Sequence, residues 1–121
     1  CGTAVEGAMD SVILVELIKG GGPMWPRLEN DDYWMVVGSS RPMEDSWRIA
    51  QLEMVNWFSE MFSLDSMDAY QLLTQISLAP IANVVDANYS VVVKVKKSLM
   101  PERHAFGGMH GRLRDLAKQA R

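Results

Sequence analysis

The segment from Ser46 to Phe62 constrains this chain more than any other. Trp47, Ala50, Gln51, Met54, Phe58 and Met61 recur at three- and four-residue spacing, and Leu52, Val55 and Phe62 widen the stripe. Three- and four-residue spacing puts side chains on one face of a helix. A helix that apolar must lie against something equally apolar. Glu44 and Asp45 stand at its start, where the helix dipole favours anions. The spacing predicts a helix from Asp45 or Ser46. After a break over 63–66, Asp65 or Ser66 caps a second helix, with Ala69, Leu72, Leu73 and Ile76 on its buried side and Pro80 bounding it. The two make a helical hairpin.

The apolar surface the helices need comes from period-two segments on either side. Tyr33 to Val37 reads as a short strand that Gly38-Ser39-Ser40 closes. In 89–97, Tyr89, Val91, Val93 and Val95 share one face, and Ser90, Val92, Lys94 and Lys96 the other, as in a half-exposed strand. Residues 3–19 read as one long strand or two joined ones. Val12, Leu14 and Glu16 alternate there with Ile13, Val15 and Leu17, so both faces are mostly apolar, which suits a buried strand. Gly20-Gly21-Gly22-Pro23 ends it. No Gly-Lys-Ser/Thr follows, so these glycines form no phosphate loop. Asn83 and Asp86 have the chemistry of Asx turns. Leu113, Leu116, Ala117 and Ala120 form the apolar side of a short tail helix, with Arg112, Arg114, Lys118 and Arg121 opposite. The fold class is α+β, with strands at both ends and a helical hairpin between.

At 121 residues the chain fits one domain or part of a larger one. Its longest apolar runs, such as Val12 to Val15, fall far short of the ~20 residues that span a bilayer. A soluble, cytoplasmic setting is expected. Charge is uneven: residues 1–93 hold 13 acids and 4 bases, and residues 94–121 hold 8 bases and 2 acids. A basic tail can signify nucleic acid. This one has few aromatics for base stacking and carries a helical stripe, so docking on an acidic protein surface, its own or a partner's, is favoured. Nine methionines and four tryptophans fill a core or cover an interface with another chain.

Candidate chemistry is sparse. The chain has one cysteine, Cys1, and two histidines, His104 and His110, in no structural-zinc spacing. The expected role of the histidines is solvated or capping, with no metal ligands assigned in this chain. Gly-x-Ser-x-Gly and Ser-x-x-Lys are absent. At residue 1 the thiol sits beside the α-amine, which can act as its base. Glu6 lies within an apolar strand pattern, where a carboxylate is costly unless paired, hydrogen-bonded or metal-bound. Function and a structural salt bridge are both open for it. Asp86 follows Val84-Val85, with an Asx turn as its plainer role. Carboxylates such as Glu53 and Glu60 read as helix exteriors. In a regular strand Cys1 and Glu6 point to opposite faces, so a shared site needs a turn or bulge at Gly2.

Four pieces in order resemble the acetamidase/formamidase family. Cys1-Gly2-Thr3-Ala4-Val5-Glu6 with Met9-Asp10 is similar to its central motif. Trp25-Pro26-Arg27-Leu28-Glu29, followed by Tyr33-Trp34-Met35, is similar to its proline-arginine-x-glutamate element and next strand. The helix Ser46 to Phe62 with Leu64 to Leu73 resembles its helical hairpin, and Val84 to Asn88 with the strand toward Pro101 its closing segment. The resemblance implies that 1–101 form the C-terminal half of such a domain, with 102–121 as a basic tail that it does not cover.

It also implies hydrolysis of the C–N bond of a small amide or lactam, at a metal-assisted site whose histidine and aspartate ligands lie mainly upstream. The cofactor expectation is thus a divalent metal, zinc or calcium, held mainly by an N-terminal chain absent here. Because the family carries this motif in mid-chain, the expectation is precursor cleavage before Cys1. An X–Cys bond breaks by amide-to-thioester shift and hydrolysis. This chain would then be the second subunit of a two-chain amidase, partnered by the N-terminal chain of the same precursor, the two-chain unit forming a homo-oligomer. Catalysis is expected from Cys1 as nucleophile and Glu6 as orienting group, and substrate contacts from Thr3 and Asp86. The alternatives are a metal-dependent amidase in which Cys1 marks only the cut, and a non-catalytic interaction subunit.

Overall fold

A computed structural model describes residues 7–119. Its centre is an antiparallel sheet built on two eight-residue strands, β2 (Tyr33–Ser40) and β5 (Tyr89–Lys96), paired along their whole length from Tyr33 opposite Lys96 to Ser40 opposite Tyr89. The short β1 (Arg27–Glu29) extends the sheet beyond β2. β3 (Ser77–Leu78) and β4 (Ile81–Asn83) share the far edge of β5. The helical hairpin, α1 (Met43–Phe62) and α2 (Ser66–Ile76), sits between β2 and β3 in the chain and covers one sheet face. The molecule is mixed α+β.

Alternation decides which face is covered. Trp34 and Val36 from β2, and Val91, Val93 and Val95 from β5, point toward α1 and are at most 2% exposed. Ala50, Met54 and Phe58 of α1 meet them, each fully buried. The Trp34 ring stands edge-on to Phe58 and Phe62 at 5.9 and 5.7 Å. Burying an apolar side chain of this size is worth roughly 1.5–3 kcal/mol. Leu73 and Ala69 bring α2 onto the same core. On the opposite sheet face, Tyr33, Met35 and Val37 are half-buried and Leu28 is exposed.

The helix ends follow local chemistry. Asp65 caps α2, its Oδ1 accepting from the Met67 N–H at 2.8 Å. Ser63 closes α1 with a left-handed φ of 54°. Asn30 turns β1 into β2, its Oδ1 accepting from the N–H groups of Asp32 and Tyr33 at 2.9 and 2.7 Å.

Several expectations change. The strand read over 3–19 is not formed in the described part of that segment. Residues 7–19 form no regular element, and Met9, Val12, Ile13, Val15, Leu17 and Ile18 are 70–89% exposed. A strand apolar on both faces needs neighbours on both edges and cover on both sides, and no described strand pairs with this one. The glycine-serine stretch after Val37 continues β2 instead of closing it. Gly38 is there because α1 comes too close for a side chain: a Cβ would lie 2.1 Å from the Ser46 carbonyl oxygen and 2.8 Å from the Ala50 nitrogen. Helix α1 starts at Met43, ahead of the expected Asp45 or Ser46. Trp47 and Leu52, read as part of its buried stripe, are 45% and 63% exposed.

Candidate functional site

The strongest polar grouping of the described core joins β1 to α1. Arg27 faces the helix side of the sheet because it stands opposite Val36 in the β1–β2 register. Its guanidinium lies between two α1 carboxylates spaced two turns apart. The Arg27 Nε–H donates to Glu53 Oε1 at 2.7 Å, and Nη1 donates to Glu60 Oε2 at 2.6 Å. Trp57, on the same helix face, takes the guanidinium carbon over its ring at 5.5 Å. Arg27 and Glu53 keep only 10% and 7% of their side chains exposed, whereas Glu60 is 62% exposed. Burial works against the Arg27 charge, but hydrogen bonds with Glu60 and Glu53 and their negative charges outweigh it and raise its pKa. The Arg27 hydrogen bond holds the Glu60 carboxyl below the usual carboxylate range.

An open cleft of about 420 Å³ borders this group, with Asn56, Ser59 and Ser66 also on its wall. The Ser59 hydroxyl oxygen is buried there without a hydrogen-bond partner. Two carboxylates around one guanidinium leave one net negative charge, in a setting rich in acceptors. The reading of Glu53 and Glu60 as helix exteriors therefore fails for Glu53. A signal was available: Glu53 stands four residues before Trp57, so the two share a helix face beside the apolar stripe, and both are buried.

Ser46 forms a second buried polar contact. Its Oγ accepts from the Ser40 N–H at 2.9 Å and lies 2.9 Å from the Tyr89 carbonyl oxygen and 3.0 Å from that of Ser40. One helix hydroxyl thus ties the ends of β2 and β5. Glu29 of β1 pairs with Lys97 at 2.7 Å.

Cys1, Thr3 and Glu6 lie outside the described residues. Asp86 lies on the exposed loop between β4 and β5. Asn83 makes the Asx turn, its Oδ1 accepting from the Val85 N–H at 3.0 Å, while its Nδ2 donates to Asp86 Oδ2 at 2.5 Å. Arg41 Nη2 donates to the Asp86 carbonyl oxygen at 3.3 Å. The loop is thereby pinned to the far end of the sheet, away from Arg27. His110 is not free in solvent: its Nε2 lies 2.8 Å from Asp31 Oδ1. That hydrogen bond holds the Asp31 carboxyl below its usual range, with Arg114 adding to the effect. Among the described residues, no three His, Cys, Asp or Glu side chains converge on a point where a metal would sit. No described helix is long and apolar enough to cross a membrane.

Two long antiparallel strands separated in the chain by a helical hairpin have a counterpart among known structures. The chain resembles an acetamidase. Over 70% of its length it matches the crystal structure of acetamidase from Yersinia enterocolitica, with 38% sequence identity and a TM-score of 0.66. It spans 26% of that acetamidase, about a quarter. No protein-family model matches the sequence, and no curated protein does.

Proposed function

We propose that this chain is part of an amidohydrolase that cleaves the C–N bond of a small amide or lactam. The likeness to the Yersinia acetamidase, at 38% identity over 70% of this chain, carries the reading. Because the match takes in only 26% of that acetamidase, the activity belongs to a larger assembly in which this chain is one piece. The exposed apolar run from Val12 to Ile18 supports that, since contiguous apolar surface of this kind marks a contact yet to be made. The remainder of the protein, the N-terminal chain of the same precursor in this reading, completes the sheet against it.

In the proposed reaction the Cys1 thiolate attacks the carbonyl carbon. Backbone N–H groups hold the tetrahedral oxyanion. The C–N bond then breaks, the nitrogen leaves as ammonia or amine after gaining a proton, and a thioester remains on the sulfur. Water hydrolyses the thioester, releasing the carboxylate and restoring the thiol. Glu6 orients the attacking group or the leaving nitrogen, and Thr3 and Asp86 contact the substrate. A zinc or calcium ion taking part would draw its ligands from the rest of the protein.

The test is ammonia release from acetamide and formamide, and ring opening of a simple lactam, by the whole protein that carries this chain. Turnover that Cys1→Ser abolishes and a chelator leaves intact is expected. Turnover that survives Cys1→Ser and disappears with chelator moves the attack to metal-activated water. Failure to hydrolyse any of these substrates makes the chain an interaction subunit. The intact mass of the purified protein shows whether cleavage before Cys1 occurs.

A further inference from the structure

Trp47 is the tryptophan that the fold leaves in water. Trp34 and Trp57 are buried and Trp25 is half-buried, whereas Trp47, near the start of α1, is 45% exposed. The surface around it is hollow. One hollow, of about 490 Å³, runs from Met43 and Trp47 to Ala79 and Ile81, with the buried Val91 of β5 beneath. A second, of about 320 Å³, runs from Trp47 to Tyr70 and Thr74 of α2. Trp47 and Ala79 line both, so the two form one groove where the helical hairpin meets the β3–β4 edge. Gln51 Nε2 donates to Ser77 Oγ at 3.3 Å and ties α1 to β3 in its wall.

The groove has the composition and size of a protein interface. Tyr70 and Ile81 are 50% and 56% exposed. At 150–250 Å² for a whole aromatic side chain, the open halves of Trp47 and Tyr70 together with Ile81 leave roughly 250 Å² of apolar surface in water. A standard interface covers about 800 Å² on each partner, a little over half of it apolar. Three anchors thus supply about half of what such a face needs, and Trp and Tyr are the residues in which binding energy concentrates.

The charges on the groove say what the partner is. Among its lining residues only Glu44 and Arg48 are charged, one of each sign. They lie one turn apart on α1 and so on one face. Among the described residues Glu44 has no cation partner, and Arg48 reaches only the half-exposed Asp45, at 2.7 Å. A patch with one acid and one base is complementary to itself: about a two-fold axis, Glu44 of each copy meets Arg48 of the other. Most of the surrounding surface lacks this balance. Residues 1–93 hold 13 acids and 4 bases, so copies repel one another through most other faces of that part. The basic tail is not the occupant. Its helix, α3 (Met109–Gln119), spends Arg112 on Glu16 at 3.1 Å, and His110 and Arg114 on Asp31 at 2.8 and 3.3 Å, within its own chain.

We propose that the Trp47 groove is a two-fold interface with a second copy of this chain, in which Trp47, Tyr70 and Ile81 are the anchors and Glu44 and Arg48 pair across the axis. The interface does not depend on the amidase chemistry.

The test is sedimentation velocity of the whole protein that carries this chain, over a micromolar concentration series. A mass containing two copies of the chain is expected. Trp47→Lys and Ile81→Lys should each weaken the association at least about tenfold. Glu44→Arg and Arg48→Glu should each weaken it by about tenfold, because each sets like charges against one another twice. The two reversals in one chain should restore it, and so should an equimolar mixture of the two single variants. All four positions except Arg48 and Glu44 are apolar, all are exposed, and circular dichroism checks that the variants fold. A single copy at every concentration overturns the proposal. So does self-association that the folded variants leave unaltered, which places it at another surface. A double reversal that fails to restore association also overturns it, because the facing charges then do not come from a second copy. Release of the rest of the protein by Trp47→Lys assigns the groove to that part and overturns it as well. The readout is mass, so the outcome stands whether or not the whole protein hydrolyses amides.

Discussion

Replacing Gly38 with alanine adds one methyl group at the closest approach of sheet and helix. That carbon would lie 2.1 Å from the Ser46 carbonyl oxygen, 2.8 Å from the Ala50 nitrogen and 3.1 Å from the Ala50 Cβ. Two of these neighbours are backbone atoms of a helix, so no rotamer change relieves the clash. Strand β2 and helix α1 must separate by about 1 Å, and overpacking of this kind costs roughly 1–3 kcal/mol. The separation also pulls the Ser46 hydroxyl from Ser40 and Tyr89, now 2.9 Å away. A buried hydrogen bond of this sort is worth about 1 kcal/mol. Gly38→Ala should therefore destabilise by about 2–4 kcal/mol, a fall in melting temperature of roughly 8–16 °C at about 4 °C per kcal/mol. Gly111→Ala is the control: its Cβ would meet nothing within 4 Å, and it lies in α3. Alanine there should be neutral or stabilising by up to about 1 kcal/mol. Circular dichroism melts and urea titrations of both variants read the difference. A Gly38→Ala variant within about 1 kcal/mol of the parent, with unchanged near-ultraviolet dichroism, would refute the account of how β2 and α1 meet.

Arg27→Met should cost roughly 3–5 kcal/mol in urea unfolding, because it strands the Glu53 carboxylate in the core. Arg27→Met with Glu53→Met should recover most of that loss, and a double variant as unstable as the single one would count against the pairing. The Glu60 carboxyl, held below its usual range by Arg27, stabilises the fold above its unfolded pKa of about 4.3 and loses that contribution as pH falls through its folded pKa. Being 62% exposed, it is worth at most about 1 kcal/mol. The stability gap between the parent and Glu60→Gln should therefore be open at pH 6 and closed by about pH 3, and a constant gap would show the pair to be unimportant. The isolated chain of 121 residues should self-associate through its exposed Val12–Ile18 run, and Ile13→Lys with Val15→Lys should reduce the association in sedimentation velocity.

The legible parts of this fold were those whose side chains alternate between two clear environments. Trp34 and Val36, and Val91, Val93 and Val95, sit under a helix on one side only, so period two survives in the sequence. Asp65 was readable as a cap because its chemistry is local. Gly38 was misread because a glycine signals a turn and a close approach in the same way, and only the position of α1 decides between them. Glu53 was misread because carboxylates are mostly exposed, and the arginine that makes its burial tolerable lies 26 residues away. The short strands β3 and β4, at two and three residues, carry no period at all and exist only because β5 offers them an edge.

The segment 7–19 is a different case, because its pattern is strong and yet it forms no element here. Val12, Ile13 and Val15 are among the best strand formers, but they are 83–89% exposed. Strand propensity is mostly a statement about packing on a pleated surface, and it yields nothing without neighbours. Elsewhere in the molecule Leu28 and Leu78 are 41% and 54% exposed on the sheet face turned away from α1, opposite Met35 and Lys94 in register. An apolar run lacking a sheet and a sheet face lacking cover are thus both present in one chain. Water penalises each of them, and both are relieved if further protein packs against this part, as the 26% coverage of the Yersinia acetamidase invites. The arrangement bears on the proposed chemistry. Cys1, Thr3 and Glu6 immediately precede this segment, so in the amidase reading whatever orders residues 7–19 also sets where the nucleophile stands. Lysines at Ile13 and Val15 should then lower turnover of acetamide by the whole protein even though neither side chain takes part in the reaction. Full turnover in that variant would separate the exposed run from the proposed nucleophile.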